Sequence, residues 1–548
     1  MNSHYVNPNV NYGRFAEIDE LRSSYTKISY DGGIKAAATP AAGIGIEAYT
    51  NKDGNVTGAL VDGGDTNTII VSATGSGKTR RFLSPYILSC INAGHSFVAH
   101  DPKGELYCFF AKLLEKNNYN VKILNFRDPM TGDRLNILEK PAKLVREGNE
   151  GRALEIAREI ADTLFSPMAD KDDPFWTESS ANLFMCYFLM AAHELEPEDV
   201  TLANIYRIHI EGLGRNGLKL NLAEYLDKHS GEKICEFGLP SVNAPSDTRN
   251  SIYATFSNSI ARIVLNEDIA DMMTKSTVDV EELAEKPTAV FIITRDEAPK
   301  AYSTAVASMV DDIYTSLIDL AQSKYNNRLP VNVHFILEEF GNIARLNNIN
   351  DMMTASRSRG IRMVIVLQSL CQLNVTYPKA LSEVLIGNSQ NLVYLSSTDM
   401  TLVETISKRC GVTVDPYTFV ERPLLSSDRL MHLDKTSGEA LLLLDRNYPY
   451  ITHMPDVSAY KMIEPLEKLE LKKREKLPDS TERIAGIFKK KVKNSFDRPV
   501  MPVPEIPPAP LPNDFNPFNH FDGTEPKKPK TPYTDWFKKA IEDGCKGD

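Results

Sequence analysis

Residues 67–80 read NTIIVSATGSGKTR, and the fold follows from this stretch. Its first part, TIIVS, is a short apolar and β-branched run typical of a buried strand, and helical spacing begins at Lys78. Gly75 and Gly77 permit backbone angles at which successive N–H groups point toward phosphate oxygens. Lys78 adds charge for the β and γ phosphates, and the Thr79 hydroxyl is placed for Mg²⁺. The stretch therefore predicts a phosphate-binding loop between a strand and a helix.

The loop departs from the usual pattern at one position. The pattern G-x-x-x-x-G-K-[ST] has glycine where this chain has Ser72. The strand before the loop and the helix after it supply the context that the motif requires, whereas the alternative is a glycine-rich turn with an exposed lysine. We predict ATP and Mg²⁺ as cofactors, with the nucleotide bound by Thr74, Gly75, Ser76, Gly77, Lys78, Thr79 and Arg80.

The composition is that of a soluble protein with several domains. A chain of 548 residues, 42% of them hydrophobic and 25% charged, is too long for one core. A net charge of −11 argues against a protein that coats nucleic acid over its whole surface, so DNA contacts would come from local basic loops. The seven cysteines include no C-x-x-C pair, which suits a reducing cytoplasm and offers no zinc site. We expect a cytoplasmic protein, because no run approaches the roughly 20 apolar residues that span a bilayer and no signal peptide opens the chain.

Alternating strands and helices predict an α/β domain with a parallel sheet and the nucleotide at the carboxyl ends of its strands. The predicted strands are 68–72, 96–100, 121–125, 289–294, 331–337, 363–368, 392–396 and 441–444. The predicted helices between them are 78–91, 104–116, 301–325, 347–357, 379–385 and 400–409. The alternation is interrupted by a stretch that shows helical spacing at 143–164, 176–194 and 250–265 and almost no strand pattern. Within this stretch we expect loops over 207–247.

The chain is therefore predicted to divide into five segments. Residues 1–66 form an N-terminal arm packed on the sheet domain, which comprises 67–140 and 287–463 and is interrupted by an all-α domain at 141–286. Residues 464–548 form a largely disordered tail. Within the tail we predict a charged helix at 468–493, an extended proline-dense stretch at 499–512 and short amphipathic turns at 533–541. The alternative to disorder is a peptide that docks on a partner.

A second motif, HFILEEF at 334–340, is an apolar strand that ends in two glutamates. A nucleotide hydrolase needs one acid to hold the water shell of Mg²⁺ and another to orient the attacking water, both at a strand end beside the phosphates. We assign the first role to Glu338 and the second to Glu339. The alternative is an ordinary pair of acids at a strand terminus.

Three further side chains are candidates for the catalytic site. Gln368 ends the strand expected next to that of Glu339, where an amide can contact both the γ phosphate and the attacking water. Arg357 and Arg359 follow a helix and precede a glycine, so one of them can reach the nucleotide of a neighbouring subunit and stabilise transition-state charge. Alternatively, both arginines lie at a surface helix end, where the helix dipole favours them.

The turn DPKGE follows the second strand at the same edge of the sheet. Asp101 can hydrogen-bond near the metal or the loop, and Lys103 can add positive potential. The residue types alone indicate no more than a turn between a strand and a helix.

These motifs together resemble the coupling ATPases of type IV secretion and conjugation, the TraG/TraD family. The resemblance covers residues 12–460 and rests on SATGSGKT, HDPKGELY, FILEEFGNI, RSRGI, VLQSLCQL, and RPLLSSDRLMHL followed by GEALLLL. It implies a RecA-like motor domain with an inserted all-α domain. It also implies a hexameric ring that uses ATP, recruits a relaxase–DNA complex or protein substrates, and hands them to a secretion channel.

The chain departs from this family at two loop and strand positions and at its start. Ser72 and Glu338 replace the more frequent glycine and aspartate, which bears on the rate of turnover and not on binding. Most relatives begin with transmembrane helices, and YGRFAEIDEL here resembles the segment that follows them. Membrane contact is therefore expected through a missing anchor or through a partner.

We predict an ATP-driven coupling protein for DNA export that acts at the inner face of the bacterial plasma membrane. Its expected partners are DNA, a relaxase and other secretion components, and it is a homo-hexamer when active. One alternative is a double-stranded DNA translocase of the chromosome-segregation type, which needs a folded DNA-reading domain after the motor. Others are a non-hydrolysing nucleotide-bound receptor, which Ser72 and Glu338 leave open, and an adaptor whose function lies in its tail.

Overall fold

Strands from both ends of the chain interleave in one central sheet of the computed structural model. The structure describes residues 13–30, 41–166, 174–295, 300–414, 420–477, 484 and 486–488. Its strands are β1 (Thr26–Ser29), β2 (Gly45–Thr50), β3 (Val56–Val61), β4 (Thr68–Ser72), β5 (Ser96–Asp101), β6 (Asn120–Asn125), β7 (Arg215–Asn216), β8 (Lys219–Leu220), β9 (Thr288–Ile293), β10 (Val333–Leu337), β11 (Ile361–Leu367), β12 (Asn391–Ser396), β13 (Val412–Val414), β14 (Glu421–Pro423), β15 (Glu439–Leu444) and β16 (Tyr450–His453).

The helices flank this sheet or lie in the long segment between β6 and β9. They are α1 (Ile18–Ser24), α2 (Ser84–Ala93), α3 (Glu105–Lys116), α4 (Glu139–Arg146), α5 (Glu150–Phe165), α6 (Phe175–Glu194), α7 (Leu202–Leu213), α8 (Asn221–Lys228), α9 (Lys233–Val242), α10 (Ser246–Val264), α11 (Glu267–Met272), α12 (Val280–Glu285), α13 (Lys300–Ser323), α14 (Ile349–Thr354), α15 (Cys371–Thr376), α16 (Lys379–Gly387), α17 (Met400–Cys410) and α18 (Ser427–Met431). Before α2, one wide π-type turn covers Thr79–Leu83.

The central sheet has nine strands in the order β16-β15-β12-β4-β11-β10-β5-β9-β6. The pairs from β12 to β6 are parallel, as predicted, whereas β15 pairs antiparallel with both β12 and β16. The prediction of a parallel sheet is therefore wrong at this edge, and β16 was not predicted. A short turn joins β15 to β16, and a connection of that length permits only antiparallel pairing.

The sheet separates two apolar cores, because alternate residues of a strand face opposite sides. In β4, Ile69 and Val71 belong to the core shared with the inserted helices, and Ile70 belongs to the core of α2 and α3. The second core also includes the three-stranded antiparallel sheet β1-β3-β2 through residues such as Leu60. All five residues of β4 are buried, so the phosphate loop starts from a rigid strand.

The segment between β6 and β9 is mainly helical, as predicted, but its middle was misjudged. We expected loops over 207–247, and the structure has the end of α7, then α8 and α9, over this range. Pro240 lies inside α9, which is why this part of the sequence gave a weak helical signal. The segment also contains a small antiparallel hairpin, formed by β7 and β8.

The start of the C-terminal tail is also different from the prediction. We expected a charged helix from residue 468, but the described residues up to 477 are not helical, and Lys473 pairs with Thr131 in an antiparallel bridge. Arg474 and Arg134 both contact the Asp271 carboxylate, at 2.9 and 3.1 Å. These tertiary contacts outweigh the weak preference of a charged sequence for helix. Further along, the described residues 484 and 486–488 are helical, as predicted, and Ile484 and Ile487 are buried in the core that contains the inserted helices. The predictions for 499–512 and 533–541 lie outside the described residues.

Within the described ranges, no helix combines the length and the apolar character needed to cross a membrane.

Two neighbouring acids are buried where α13 packs against α5. Asp311 and Asp312 each keep one carboxyl oxygen without a hydrogen-bond partner in the described part of the chain. Burial raises the pKa of both carboxyls to about 7. Because α5 belongs to the inserted helices and α13 connects two strands of the sheet, ionisation of these acids makes the packing between the two regions depend on pH.

We expect substitution of Asp271 by alanine to lower the free energy of unfolding by about 3 kcal/mol, because it leaves the buried Arg134 and the half-buried Arg474 without their counter-charge. Urea denaturation measures this change, and proteolysis after residue 477 should become faster as the extended segment detaches. Asp268→Ala, an exposed acid of the same helix, is the matched control. Equal unfolding free energies for the two variants would contradict the role of Asp271.

We expect Asp312→Asn to gain stability relative to the unsubstituted protein as the pH rises. A carboxyl whose pKa is raised in the folded protein stabilises it fully below the unfolded pKa, and this stabilisation is lost as the pH rises through the folded value of about 7. The difference between the two proteins should grow by about 1 kcal/mol per pH unit between pH 4 and 7, and urea titrations across this range measure it. The exposed substitution Glu404→Gln should show no such trend.

Candidate active site

The polar residues that follow the parallel strands meet at one edge of the sheet. Across this edge lie Ser396 at the end of β12, the phosphate loop after β4, Gln368 after β11, Glu338 after β10, and Asp101 at the end of β5. Adjacent strands are about 4.8 Å apart, so side chains on neighbouring strand ends can share one ligand. The β11 strand lies directly beside β10, as the sequence analysis expected for Gln368 and Glu339.

The phosphate loop has the backbone that its glycines predict. Gly75 and Gly77 have φ angles of 74° and 95°, a region that side chains other than glycine rarely adopt. Ser72, which stands where the usual motif has glycine, is the last residue of β4, is fully buried, and forms a short hydrogen bond with the Ser76 hydroxyl. Its φ angle is not positive, so this position does not require glycine. The serine therefore adds a hydrogen bond within the loop and does not distort the loop backbone.

Thr79 and Glu338 meet directly, although 259 residues separate them in the sequence. The Thr79 hydroxyl donates a hydrogen bond of 2.5 Å to the Glu338 carboxylate. The pKa of Glu338 is raised to about 7, because burial and the charges of Asp101 and Glu339 outweigh the lowering by the Thr79 hydrogen bond and by Lys78. Lys78 itself is 9% exposed. The structure thus brings together the lysine, the hydroxyl and the acid to which the sequence analysis assigned the phosphates and the metal.

Asp101 is fully buried beside this group, and burial raises its pKa to about 6. One of its carboxyl oxygens accepts a hydrogen bond from the Tyr107 N–H at 2.9 Å, and the other has no partner within the described residues. An orphaned buried oxygen next to Glu338 is a donor atom of the kind that Mg²⁺ or its water shell takes. Lys103, in the same turn, is exposed.

Sequence reasoning did not single out His100, which holds the Glu338 backbone. Its Nδ1–H donates to the Glu338 carbonyl at 2.6 Å, and its Nε2 lies 3.3 Å from the Thr294 hydroxyl. Burial lowers the pKa of His100 to about 4, so the ring is neutral. The only sequence signal was its position immediately before the DPKGE turn.

Glu339 has a strained backbone. Its φ and ψ angles of 51° and 45° lie in the left-handed region, which is uncommon for a residue other than glycine. Asn342 donates to its side chain at 3.0 Å and to its carbonyl at 2.8 Å, and these bonds hold the turn. Strain of this kind is concentrated at functional sites, and here it positions the second glutamate separately from the buried Glu338.

Gln368 is connected to the glutamate turn by a residue that sequence reasoning missed, Gln372. The Gln372 side-chain oxygen accepts a hydrogen bond of 2.9 Å from the Gln368 N–H. The same side chain lies against Gly341, where an added Cβ would be 3.0 Å from the Gln372 amide carbon. The block 368–373 therefore packs directly against the turn that carries Glu339.

Arg80 was predicted to bind the nucleotide, but its side chain has another partner. Its guanidinium forms two hydrogen bonds with Asp456, at 2.7 and 2.5 Å. The neighbouring Arg81 donates to the carbonyls of Met454 and Thr436, at 2.5 and 3.1 Å. Both arginines therefore connect the start of the helix to the last strands of the sheet, and nucleotide binding by Arg80 stays a prediction.

Arg357 and Arg359 lie far from the phosphate loop of their own chain. They are in a short 3-10 turn, Ser356–Arg359, immediately before β11, whereas the loop follows the end of the parallel strand β4. The seven residues of β11 separate these edges by about 20 Å. Neither arginine can reach the nucleotide site within one chain, so a catalytic role would have to be toward another subunit, and the alternative of a surface helix end also stays open.

The residues present fit a nucleotide with Mg²⁺. The backbone at Gly75 and Gly77 can surround a phosphate. A Cβ added at Gly75 would meet no other atom within 4 Å, but the φ angle of this position is unfavourable for any residue except glycine. Thr79, Glu338 and the unpartnered Asp101 oxygen are hard oxygen donors, which Mg²⁺ prefers. A cavity of about 140 Å³ adjoins the loop and is bordered by Thr74, Gly75, Ser76, Ser396 and Lys435.

Known structures share this fold. That of the bacterial conjugative coupling protein TrwBdeltaN70, unbound, is similar at a TM-score of 0.58 and 16% identity, and covers 85% of this chain and 95% of that chain. TrwB in complex with the ATP analogue ADPNP is similar at a TM-score of 0.58 and 16% identity, over 85% and 96% of the two chains. TrwB in complex with ADP and Mg²⁺ is similar at a TM-score of 0.57 and 16% identity, over the same shares. These likenesses confirm the predicted RecA-like α/β fold.

No curated protein sequence matches the chain. The sequence profile of the family described as Type IV secretory system Conjugative DNA transfer matches residues 15–453, which include the whole central sheet. This span contains the phosphate loop, the two glutamates and the inserted helices. The chain therefore belongs to the type IV secretory system conjugative DNA transfer family.

Proposed function

We propose that this protein is an ATP-hydrolysing coupling motor that recruits a relaxase–DNA complex, or protein substrates, and delivers them to a type IV secretion channel. The contact between Thr79 and Glu338 carries the proposal, because it joins the phosphate loop to an acidic strand end in the geometry of an Mg²⁺–nucleotide site. Family membership supports the coupling role. The complexes of the similar protein TrwB with ADPNP and with ADP and Mg²⁺ support ATP as the substrate.

In this proposal each residue at the carboxyl ends of the parallel strands has one role. The N–H groups of 74–79 and the Lys78 ammonium hold the phosphates, while Thr79 and Glu338 hold Mg²⁺ directly or through water. Mg²⁺, when bound, neutralises charge that develops on the phosphates. Glu339 orients the attacking water, and Gln368 contacts the γ phosphate from the adjacent strand. Through Gln372, a change at Gln368 is transmitted to the glutamate turn.

The proposal extends to domains and assembly. Residues 67–140 and 287–463 act as the motor, since their strands interleave in one sheet, and 141–286 recognise cargo. The motor works as a homo-hexamer with ATP between subunits, and Arg357 or Arg359 reaches the neighbour's nucleotide. Their position at the edge opposite the phosphate loop supports this arrangement, because a head-to-tail contact brings opposite edges together. The inner face of the plasma membrane is the proposed place of action.

The non-hydrolysing receptor is the less favoured reading. Its support in the sequence was Ser72 and Glu338 in place of glycine and aspartate. Ser72 adopts an ordinary strand conformation and bonds within the loop, and Glu338 reaches Thr79 despite its longer side chain. Neither replacement therefore removes a group that hydrolysis needs.

We expect Lys78→Ala to abolish ATP binding and Glu339→Gln to bind ATP but hydrolyse it at least about 100-fold more slowly, since the attacking water loses its acceptor. ATP hydrolysis of the full chain with and without DNA, with the assembly state monitored, measures both effects. Glu115→Gln, an exposed acid of α3, is the control. Full hydrolysis by the Glu339 variant would contradict the role proposed for Glu339, whereas no hydrolysis by the parent protein in an assembled ring would favour the non-hydrolysing receptor.

We expect Arg357→Ala or Arg359→Ala to bind ATP normally and to lower turnover about a thousandfold, as loss of an arginine that acts on a transition state does. Mixing that variant with Glu339→Gln should restore part of the activity. A mixed interface then pairs an intact Glu339 from one subunit with an intact arginine from the next. The absence of any restoration in mixed hexamers would contradict a role between subunits.

A further inference from the structure

A pocket of about 390 Å³ opens in the inserted helical region, outside the nucleotide site. It lies between the end of α7, the small hairpin of β7 and β8, and α10, and its volume falls in the range of ligand-binding pockets. Leu213, Leu220 and Ala254 form its apolar wall. Its polar lining consists of Arg215, Arg249, Asn250, Tyr253 and Ser257.

A buried chain of hydrogen bonds ends at this pocket. The His209 ring contacts the Tyr187 hydroxyl at 3.0 Å through Nδ1 and the Ser257 hydroxyl at 2.8 Å through Nε2. His209 is fully buried, and burial lowers its pKa to about 3, so the ring is neutral. The arrangement fixes Ser257 in the pocket wall.

Tyr253 forms another fixed part of the wall. Its side chain is held by an edge contact with the His209 ring, at 5.8 Å between centroids. The residue is only 6% exposed, yet its hydroxyl has no hydrogen-bond partner among the residues that the structure describes. Leaving a buried hydroxyl unpaired is unfavourable, and a bound acceptor would satisfy it.

The two arginines of the pocket are not neutralised by the protein. Arg249 is held in place by the carbonyls of Val242 and Ala244, at 3.3 and 3.5 Å, and neither it nor Arg215 forms an ion pair within the described ranges. The nearby acids of α8 are already engaged. Glu224 pairs with Lys228 and Asp227 pairs with Lys219, each within 2.8 Å.

We propose that this pocket binds a carboxylate of a cargo protein, carried on a peptide segment with an apolar side chain beside it. Arg215, Arg249 and the Tyr253 hydroxyl take the carboxylate, since guanidinium groups match its geometry, and the leucine and alanine wall takes the apolar neighbour. Leu218, at the tip of the same hairpin, is 98% exposed. The inference rests on the proposed cargo role of residues 141–286 and names the chemistry recognised there.

A protein segment fits the pocket better than nucleic acid does. Binding to a nucleic acid backbone needs a track of basic residues, and this pocket holds two arginines above an apolar wall. The volume of the pocket suits one or two amino acid residues. The carboxylate is either an acidic side chain or the terminus of a chain, and the test below separates these sources.

The test uses fluorescence anisotropy with the full chain, without nucleotide, and three labelled peptides. The first is Gly-Ser-Ala-Leu-Glu with a free carboxyl terminus, the second is the same peptide amidated at its end, and the third is amidated Gly-Ser-Ala-Leu-Gln, which has no carboxylate. We expect the first to bind saturably and the third to bind at least about tenfold more weakly. The second binds like the first if the side chain is recognised and like the third if the terminus is.

Matched variants connect the binding to the pocket. The double substitution Arg215→Gln and Arg249→Gln should weaken binding of the first peptide at least about tenfold, whereas Arg262→Gln, an exposed arginine of α10 outside the pocket, should not. Tyr253→Phe should weaken binding several-fold without lowering the Tm, because its hydroxyl has no partner in the protein. A hydroxyl with a structural role would change the Tm and leave binding unaltered.

Several results would overturn the proposal. They are equal binding of the peptide without a carboxylate, no saturable binding of the first peptide up to about 1 mM, an equal effect of Arg262→Gln, and displacement of the peptide by an equimolar single-stranded oligonucleotide. Failure here is distinguishable from failure of the proposed motor function. The pocket variants keep the nucleotide site, so their ATP hydrolysis is measured separately and is expected to be that of the parent protein.

Discussion

The Thr79 hydroxyl donates to the Glu338 carboxylate at 2.5 Å, and the arrangement of the whole sheet is needed to allow that contact. Each residue follows its own strand, and the two strands are separated in the sheet by β11. Parallel pairing places the carboxyl ends of these strands at one edge of the sheet, so residues that are distant in the sequence become neighbours there. Every other feature of the nucleotide site, including the position of Gln368, depends on this order.

Burial at that edge determines the electrostatics. Glu338 lies near both Lys78 and Asp101 in a buried site, and desolvation raises the pKa values of the two carboxyls. A site of this kind is costly when its acids ionise alone and favourable when a cation joins them, because the cation supplies the missing counter-charge. Neutral His100 fixes the backbone of Glu338 without adding charge. The edge is therefore preorganised for a cation bound together with phosphates.

The inserted helices are joined to the sheet by polar contacts as well as by a common apolar core. Asp271 forms ion pairs with Arg134, which follows β6, and with Arg474 of the extended C-terminal segment. Asp311 and Asp312 lie where α13 meets α5. Movement of the helices relative to the sheet would break these contacts, so they hold the inserted helices against the sheet.

The sequence by itself determined the elements that depend on neighbouring residues. The glycine angles of the phosphate loop, the buried strand before it and the acids at the end of β10 follow from local residue types, and strand–helix alternation gave the parallel sheet and its helical interruption. A resemblance carried by short motifs added the family. These signals are local because backbone sterics and strand burial act over a few residues.

Only the tertiary structure decided which partners distant residues have. Arg80 bonds Asp456 across 376 residues, and the extended segment at 473 pairs with Thr131, both against the local expectation. It also placed Arg357 and Arg359 at the edge opposite the phosphate loop, and it combined residues of α10 with residues from a range expected to be loops in the pocket at α7 and α10. The physical reason is that charge pairing, strand pairing and pocket shape depend on three-dimensional proximity, which residue spacing in one sequence does not encode.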